Sequence, residues 1–160
     1  MSRTVWRIAT DTPDFTADDL NGAGAKRTGG RWNRKGSPLV YCSSSIALAC
    51  LETLVHLDAG GLPLNRYLVE ISIPDALWKH AAHFDGADPA SIGWDACPAG
   101  RISMDAGDLW LAAKSSTLML VPSAVVPEEK NILIDPAHPG ARGISARKLR
   151  RWLYDPRMRV

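Results

Sequence analysis

The chain reads as an α+β domain with a small mixed or antiparallel sheet and flanking helices. Three observations predict this. Arg66 to Ile73 alternates with strand period, with Tyr67, Val69, Ile71 and Ile73 on one face and Leu68, Glu70 and Ser72 on the other. Two longer runs, Ile46 to Leu57 and Ser103 to Ser116, carry helical spacing. The two kinds of segment do not follow the strict βαβ rhythm of a doubly wound sheet.

Thr4 to Ile8 alternates and includes Trp6, which predicts a first strand. Residues 11–38 are rich in Gly, Asp and Thr and hold few apolar residues besides Phe15 and Leu20. Thr16-Ala17-Asp18-Asp19 has the residues to start a short helix, and the rest reads as a long loop of the kind that is usually functional. Pro38 to Cys42 is a short strand, and Ser43-Ser44-Ser45 offers an N-cap to the helix that follows. Gly60-Gly61 is expected to end that helical region. Pro74 stops the Arg66–Ile73 strand, and residues 74–100 read as irregular, anchored by Trp78 and Trp94. The Ser103–Ser116 helix places Leu109, Ala112 and Ala113 on one stripe. Thr117 to Val121 and Asn131 to Asp135 are strands, each stopped by proline. Ile144 to Leu153 has helical spacing.

A chain of 160 residues, 46% hydrophobic and 22% charged, suits one soluble domain spanning 1–160. No apolar run approaches the roughly 20 residues of a membrane helix, and Met1 to Arg7 lacks the apolar stretch of an export signal. Cys42, Cys50 and Cys97 form no CxxC pair, so they read as reduced thiols of a cytoplasmic protein. Net charge is only +2, yet Arg142, Arg147, Lys148, Arg150, Arg151, Arg157 and Arg159 crowd the C-terminus. Such a run is either a solvated helix face or a docking surface for an acidic partner or nucleic acid.

Glu52 stands in a run that is otherwise mostly apolar. Helices that are apolar nearly all round are usually buried, and a carboxylate rarely enters one without a partner or a task. The task reading is ligand chemistry; the alternative is a buried ion pair with Arg31 or Arg7. Arg31 follows Gly29-Gly30, which allow close backbone approach, and its planar fork suits phosphate oxygens. Trp32 is either a core anchor or a ring that stacks on a base. Tyr41 is either a core tyrosine with its hydroxyl at the rim or a ring that stacks on a heterocycle. His56 lies one turn beyond Glu52 on the same face, without a base role assigned to it. Ser123 sits in no Gly-x-Ser-x-Gly elbow, so it reads as a hydroxyl that binds phosphate or ribose. His80 and His83 have no nearby acids, and no metal site is expected.

Together these residues resemble the RES-domain family, toxins of bacterial toxin–antitoxin pairs. Arg31 in Gly-Gly-Arg-Trp-Asn, Glu52 in Leu-Glu-Thr-Leu-Val-His and Ser123 in Val-Pro-Ser match the three residues that name the family. Trp6-Arg7-Ile8, Val40-Tyr41 and the block from Asn131 to Pro139 also fit, except that Asp135 stands where Asn is expected. The resemblance implies a fold similar to ADP-ribosyltransferase toxins and an activity that consumes NAD as substrate, with no cofactor. The acceptor of ADP-ribose is left open between water, phosphate and a protein. In this picture Glu52 stabilises the ribose cation, Arg31 with Arg7 holds the pyrophosphate, Tyr41 stacks on nicotinamide and Ser123 bonds a phosphate or ribose oxygen. The implied partner is an Xre-type helix-turn-helix antitoxin, which would also supply any contact with DNA. A ribonuclease-type toxin and a non-enzymatic nucleic-acid-binding module are the competing classes.

Overall fold

In the computed structural model, which describes residues 1–57 and 60–158, seven strands form one sheet. They are β1 (Ser2–Thr10), β2 (Val40–Ser43), β3 (Arg66–Pro74), β4 (Ala82–His83), β5 (Leu118–Pro122), β6 (Lys130–Ile134) and β7 (Ser145–Arg151). Their spatial order is β4-β5-β6-β2-β1-β3-β7. Every pairing is antiparallel except β4 with β5. The helices are α1 (Ala23–Thr28), α2 (Ile46–Leu54), α3 (Asp75–Lys79) and α4 (Arg101–Ala113).

One irregularity of the ladder positions the site. β1 pairs with β3 along its whole length, Ser2↔Pro74 to Thr10↔Arg66. It meets β2 at one pair, Trp6↔Ser43. Past that pair the two strands part, and the sheet opens into a seam between residues 7–10 and 40–42.

Side chains alternate across the sheet with period two, so each face has its own core. One face carries Val5, Val40, Cys42, Val69, Ile71, Leu118, Ile132 and Ile134, covered by Ala17, Leu20, Leu77, Trp78 and Ile144. Each aliphatic side chain fully buried there contributes roughly 1.5–3 kcal/mol. The opposite face is covered by helices. α2 packs Ala49 and Cys50 on Ile8 and Leu68, and α4 packs Trp110 and Leu111 with Trp32 against Met119, Val121 and Leu133.

Several expectations change. Ser145–Arg151 is an edge strand on β3, not a helix. Arg, Lys and Leu are good helix formers, but cross-strand pairing with Val69 and Ile71 outweighs local preference. The basic run therefore guards a sheet edge, where charge blocks further strand addition. Arg147 pairs with Glu70, Lys148 with Asp11 and Arg157 with Asp155, while Arg159 lies outside the described residues. Thr16 to Asp19 forms a turn, and the helix of this segment is α1. α2 ends at Leu54, ahead of Gly60-Gly61. It is not buried all round, since Leu51 is exposed, as is Val55 just past its end. α4 buries Ser103, Gly107, Trp110 and Leu111 and turns Leu109 to solvent. A glycine in the middle of that buried stripe hides it from an apolar count. Asp135 is buried, ion-paired with Lys114 (2.7 Å) and accepting from the Ala137 N–H, so the added charge is neutralised where it stands.

Candidate active site

The open seam is the mouth of a cleft of about 730 Å³. Its walls include residues 7–10 of β1, residues 41–43 of β2, Glu52, Thr53 and His56 of the α2 region, and Gly29 to Trp32. Arg66 and Asn131 complete the polar lining.

Glu52 is carried by α2, whose first turn is capped by Ser45 Oγ accepting from the Leu48 N–H at 3.1 Å. Its carboxylate is half-buried, and Oε1 accepts two hydrogen bonds, from Ser123 Oγ at 2.6 Å and Asn131 Nδ2 at 2.7 Å. Both donors are neutral. Among the described residues Glu52 takes part in no ion pair, so the alternative of a buried pair with Arg31 or Arg7 is not formed. Oε2 has no protein donor among the described residues and is left for a ligand.

Ser123 requires a correction. Its side chain is fully buried, and its hydroxyl donates to Glu52 while accepting from the Val125 and Val126 N–H groups, both at 3.0 Å. A hydroxyl has one hydrogen and two lone pairs, and all are used. It holds the carboxylate and has no capacity left for a phosphate or ribose oxygen.

Arg31 stands on the cleft wall, with Nη1 donating to the Trp94 and Ala96 carbonyls at 3.0 and 2.9 Å. Those bonds fix the guanidinium and leave its other nitrogens for an anion. The preceding glycines serve the protein itself. Gly29 has φ 72°, and a Cβ on Gly30 would lie 2.6 Å from the Tyr41 hydroxyl. That hydroxyl donates to Asn33 Oδ1 (2.6 Å) and accepts from the Trp32 N–H (3.0 Å). Fully buried Asn33 in turn donates to the carbonyls of Ala25, Arg34 and Ser37. Tyr41 thus ties down the loop that carries Arg31, while its ring remains on the cleft wall. Burial pushes its phenol well above the ordinary value, so the hydroxyl is no acid–base group near neutrality. Trp32 is a core anchor, stacked on Trp94 with ring centroids 6.1 Å apart.

Arg7 reaches the cleft from the opposite face of the sheet through the seam. Burial lowers its pKa from the ordinary arginine value, with Cys42 and Asp19 opposing the shift. Its Nη1 is enclosed with no acceptor among the described residues. The same is true of Nε of Arg66, a cleft residue that no sequence motif marked. Arg7, Arg31 and Arg66 line the same cleft as one carboxylate, Glu52, and among the described residues none of the three is ion-paired. By contrast Arg3, Arg27, Arg34, Arg147 and Arg157 all have carboxylate partners. Guanidinium forks suit anionic oxygens, and a carboxylate with a free oxygen is able to stabilise positive charge. Among the described residues no group of three or more metal-ligating side chains comes together.

The RES domain family model matches residues 4–155. The chain is 59% identical over 160 residues to the Prs ADP-ribosylating toxin of Sphingobium sp. (strain YBL2), covering 99% of this chain and 98% of that protein. It is 36% identical over 146 residues to Toxin Res of Yersinia enterocolitica, covering 91% and 93% of the two chains. Among solved structures, the M. tuberculosis MbcT–MbcA toxin–antitoxin complex contains a chain of the same fold, with TM-score 0.61 and 19% identity over 95% of this chain and 85% of that one.

Proposed function

The chain belongs to the RES domain family, and from that premise we propose that it is the toxin of a toxin–antitoxin pair that cleaves the nicotinamide–ribose bond of NAD. The observation that carries this reading is the cleft's charge pattern. Glu52 has one oxygen held by neutral donors and one without a protein donor among the described residues, in a cleft shared with three guanidiniums that form no ion pair among those residues. The guanidiniums suit a pyrophosphate, with Arg31 as the principal anchor and Arg7 and Arg66 adding unspent donors. Glu52 Oε2 then meets the ribose.

As the C–N bond breaks, its electron pair leaves with nicotinamide, which departs neutral, and the ribose becomes an oxocarbenium-like cation. A fixed carboxylate stabilises that charge, and partial burial keeps water from screening it. Nicotinamide is already cationic in NAD, so no general acid is required. The Tyr41 ring is the stacking surface for the base. The acceptor attacks C1′ and releases a proton.

We take the acceptor to be a protein side chain, which the name of the 59%-identical relative supports. The inhibitory partner is taken to be an Xre-type helix-turn-helix antitoxin that occupies the cleft near Arg31 and competes with NAD. The test is mass spectrometry of NAD incubated with the purified chain and cell extract. Nicotinamide release with an ADP-ribosyl mass added to a protein is expected. Free ADP-ribose would assign water as acceptor, and a 1-phosphorylated product would assign phosphate. Intact NAD in the presence of folded chain would refute the reading.

A further inference from the structure

We propose that Asn131 and Ser43 form a positioning pair that sets the orientation of Glu52. The inference rests on the NAD-cleaving reading and goes beyond the Arg, Glu and Ser that define the family. Ser43 and Asn131 are directly opposed across β2 and β6, close enough for their side chains to meet. Ser43 Oγ donates to Asn131 Oδ1 at 2.7 Å, and Asn131 Nδ2 donates to Glu52 Oε1 at 2.7 Å. An asparagine amide has two orientations of nearly equal shape. The flipped one would set Oδ1 against the Glu52 carboxylate, oxygen to oxygen, and NH2 against the Ser43 hydroxyl. The Glu52 carboxylate, which can only accept, selects the orientation with Nδ2 toward it, and the Ser43 hydroxyl braces the amide there by donating to Oδ1.

Placement strengthens the point. Ser43 is also the β2 partner of Trp6, the single pair that joins β2 to β1 before the seam opens. Glu52 is thus referenced to the branch point of the sheet through two hydrogen bonds. Ser123 approaches the same oxygen from beyond the end of β5. Two donors on Oε1 fix the carboxylate plane and direct Oε2 toward the ligand. Neither Asn131 nor Ser43 is assigned to the reacting atoms; they act through Glu52.

The experiment is a double-mutant cycle on NAD turnover with Asn131→Ala, Ser43→Ala and the double variant, with melting temperature read on each. Asn131→Ala is expected to lower kcat by one to two orders of magnitude, the scale on which a misplaced group costs rate, with KM for NAD nearly unchanged. Ser43→Ala is expected to lower kcat less, and to have no further effect once Asn131 is alanine. Unchanged kcat in both single variants overturns the proposal, as does a rise in KM alone, which would make Asn131 a substrate contact. Independent, multiplying effects overturn the pairing. If Asn131→Ala does not fold, Ser43→Ala, which deletes one oxygen, decides by the same kcat and KM criteria. A wild-type chain that leaves NAD intact overturns the parent reading, whereas active wild type with fully active variants overturns only this inference.

Discussion

Gly107→Ala tests whether the Arg31 loop is held in place by close packing. Gly107 lies on the buried stripe of α4, against the backbone of Trp32, the neighbour of Arg31. A Cβ there would sit 2.7 Å from the Trp32 carbonyl carbon and 3.1 Å from its Cα, and closer still to the carbonyl oxygen. Carbon contacts settle near 3.5–4.0 Å, so helix or loop must yield by about 1 Å. The loop is not free to yield, because Arg34 is ion-paired to Asp105 and Asp108 on either side of Gly107. On an isolated helix the change would gain about 1 kcal/mol from propensity. Overpacking here costs roughly 1–3 kcal/mol, so the net effect is a loss of up to about 2 kcal/mol. In a chain of this size that lowers Tm by up to about 8 °C. A displacement of about 1 Å at Arg31 is expected to cost on the order of 10²-fold in NAD turnover. Calorimetry and an NAD-consumption assay on the same preparation are the measurements. A variant with raised Tm and wild-type turnover would refute the packing argument.

Glu52→Gln keeps an oxygen for Ser123 and Asn131 and removes the charge. Turnover is expected to fall by about 10²–10³-fold with melting nearly unchanged; a large loss of stability would instead assign the Glu52 charge a structural role. Asp11→Asn tests the tether of the 11–21 segment. The Lys148 ammonium, then the Ala17 N–H, hold the Asp11 carboxyl below the ordinary value of 3.8. The stabilisation is therefore present above that value and lost as pH falls through the lower folded-state pKa. The wild type should melt higher than the variant at pH 7, and the gap should close in strong acid; a gap independent of pH contradicts the assignment. Cys97 is exposed, whereas Cys42 is buried with its thiol pushed up to about 12 by desolvation. Iodoacetamide at pH 8 should label Cys97 in the folded chain and spare Cys42, as peptide mapping would report; prompt labelling of Cys42 would contradict its burial.

How much of this was legible in the chain follows from range. The alternation in Arg66–Ile73 survives as β3, and Ser45 caps α2 as its position predicts, because period and capping act within a few residues. Arg31, Tyr41 and Glu52 could be singled out because each is chemically conspicuous where it stands: an arginine after two glycines, an aromatic at a strand end, a carboxylate in an apolar run. The fold class and the family were legible from such local signs.

Partnership was not legible, because hydrogen-bond partners lie far apart in sequence. Ser123 is 71 residues from the carboxylate it holds, and Asn131 is 79. Arg66 carries no motif, and only the parting of β1 from β2 brings it to the same cleft as Arg7. Ser145–Arg151 has helix-forming residues and becomes a strand because β3 offers it an edge. The chain by itself determined which residues have chemistry to offer and which segments repeat with strand or helix period. The tertiary structure decided which donors reach Glu52, on which of its oxygens they fall and which guanidiniums share its cleft, because those depend on strand register and on one opened seam in the sheet.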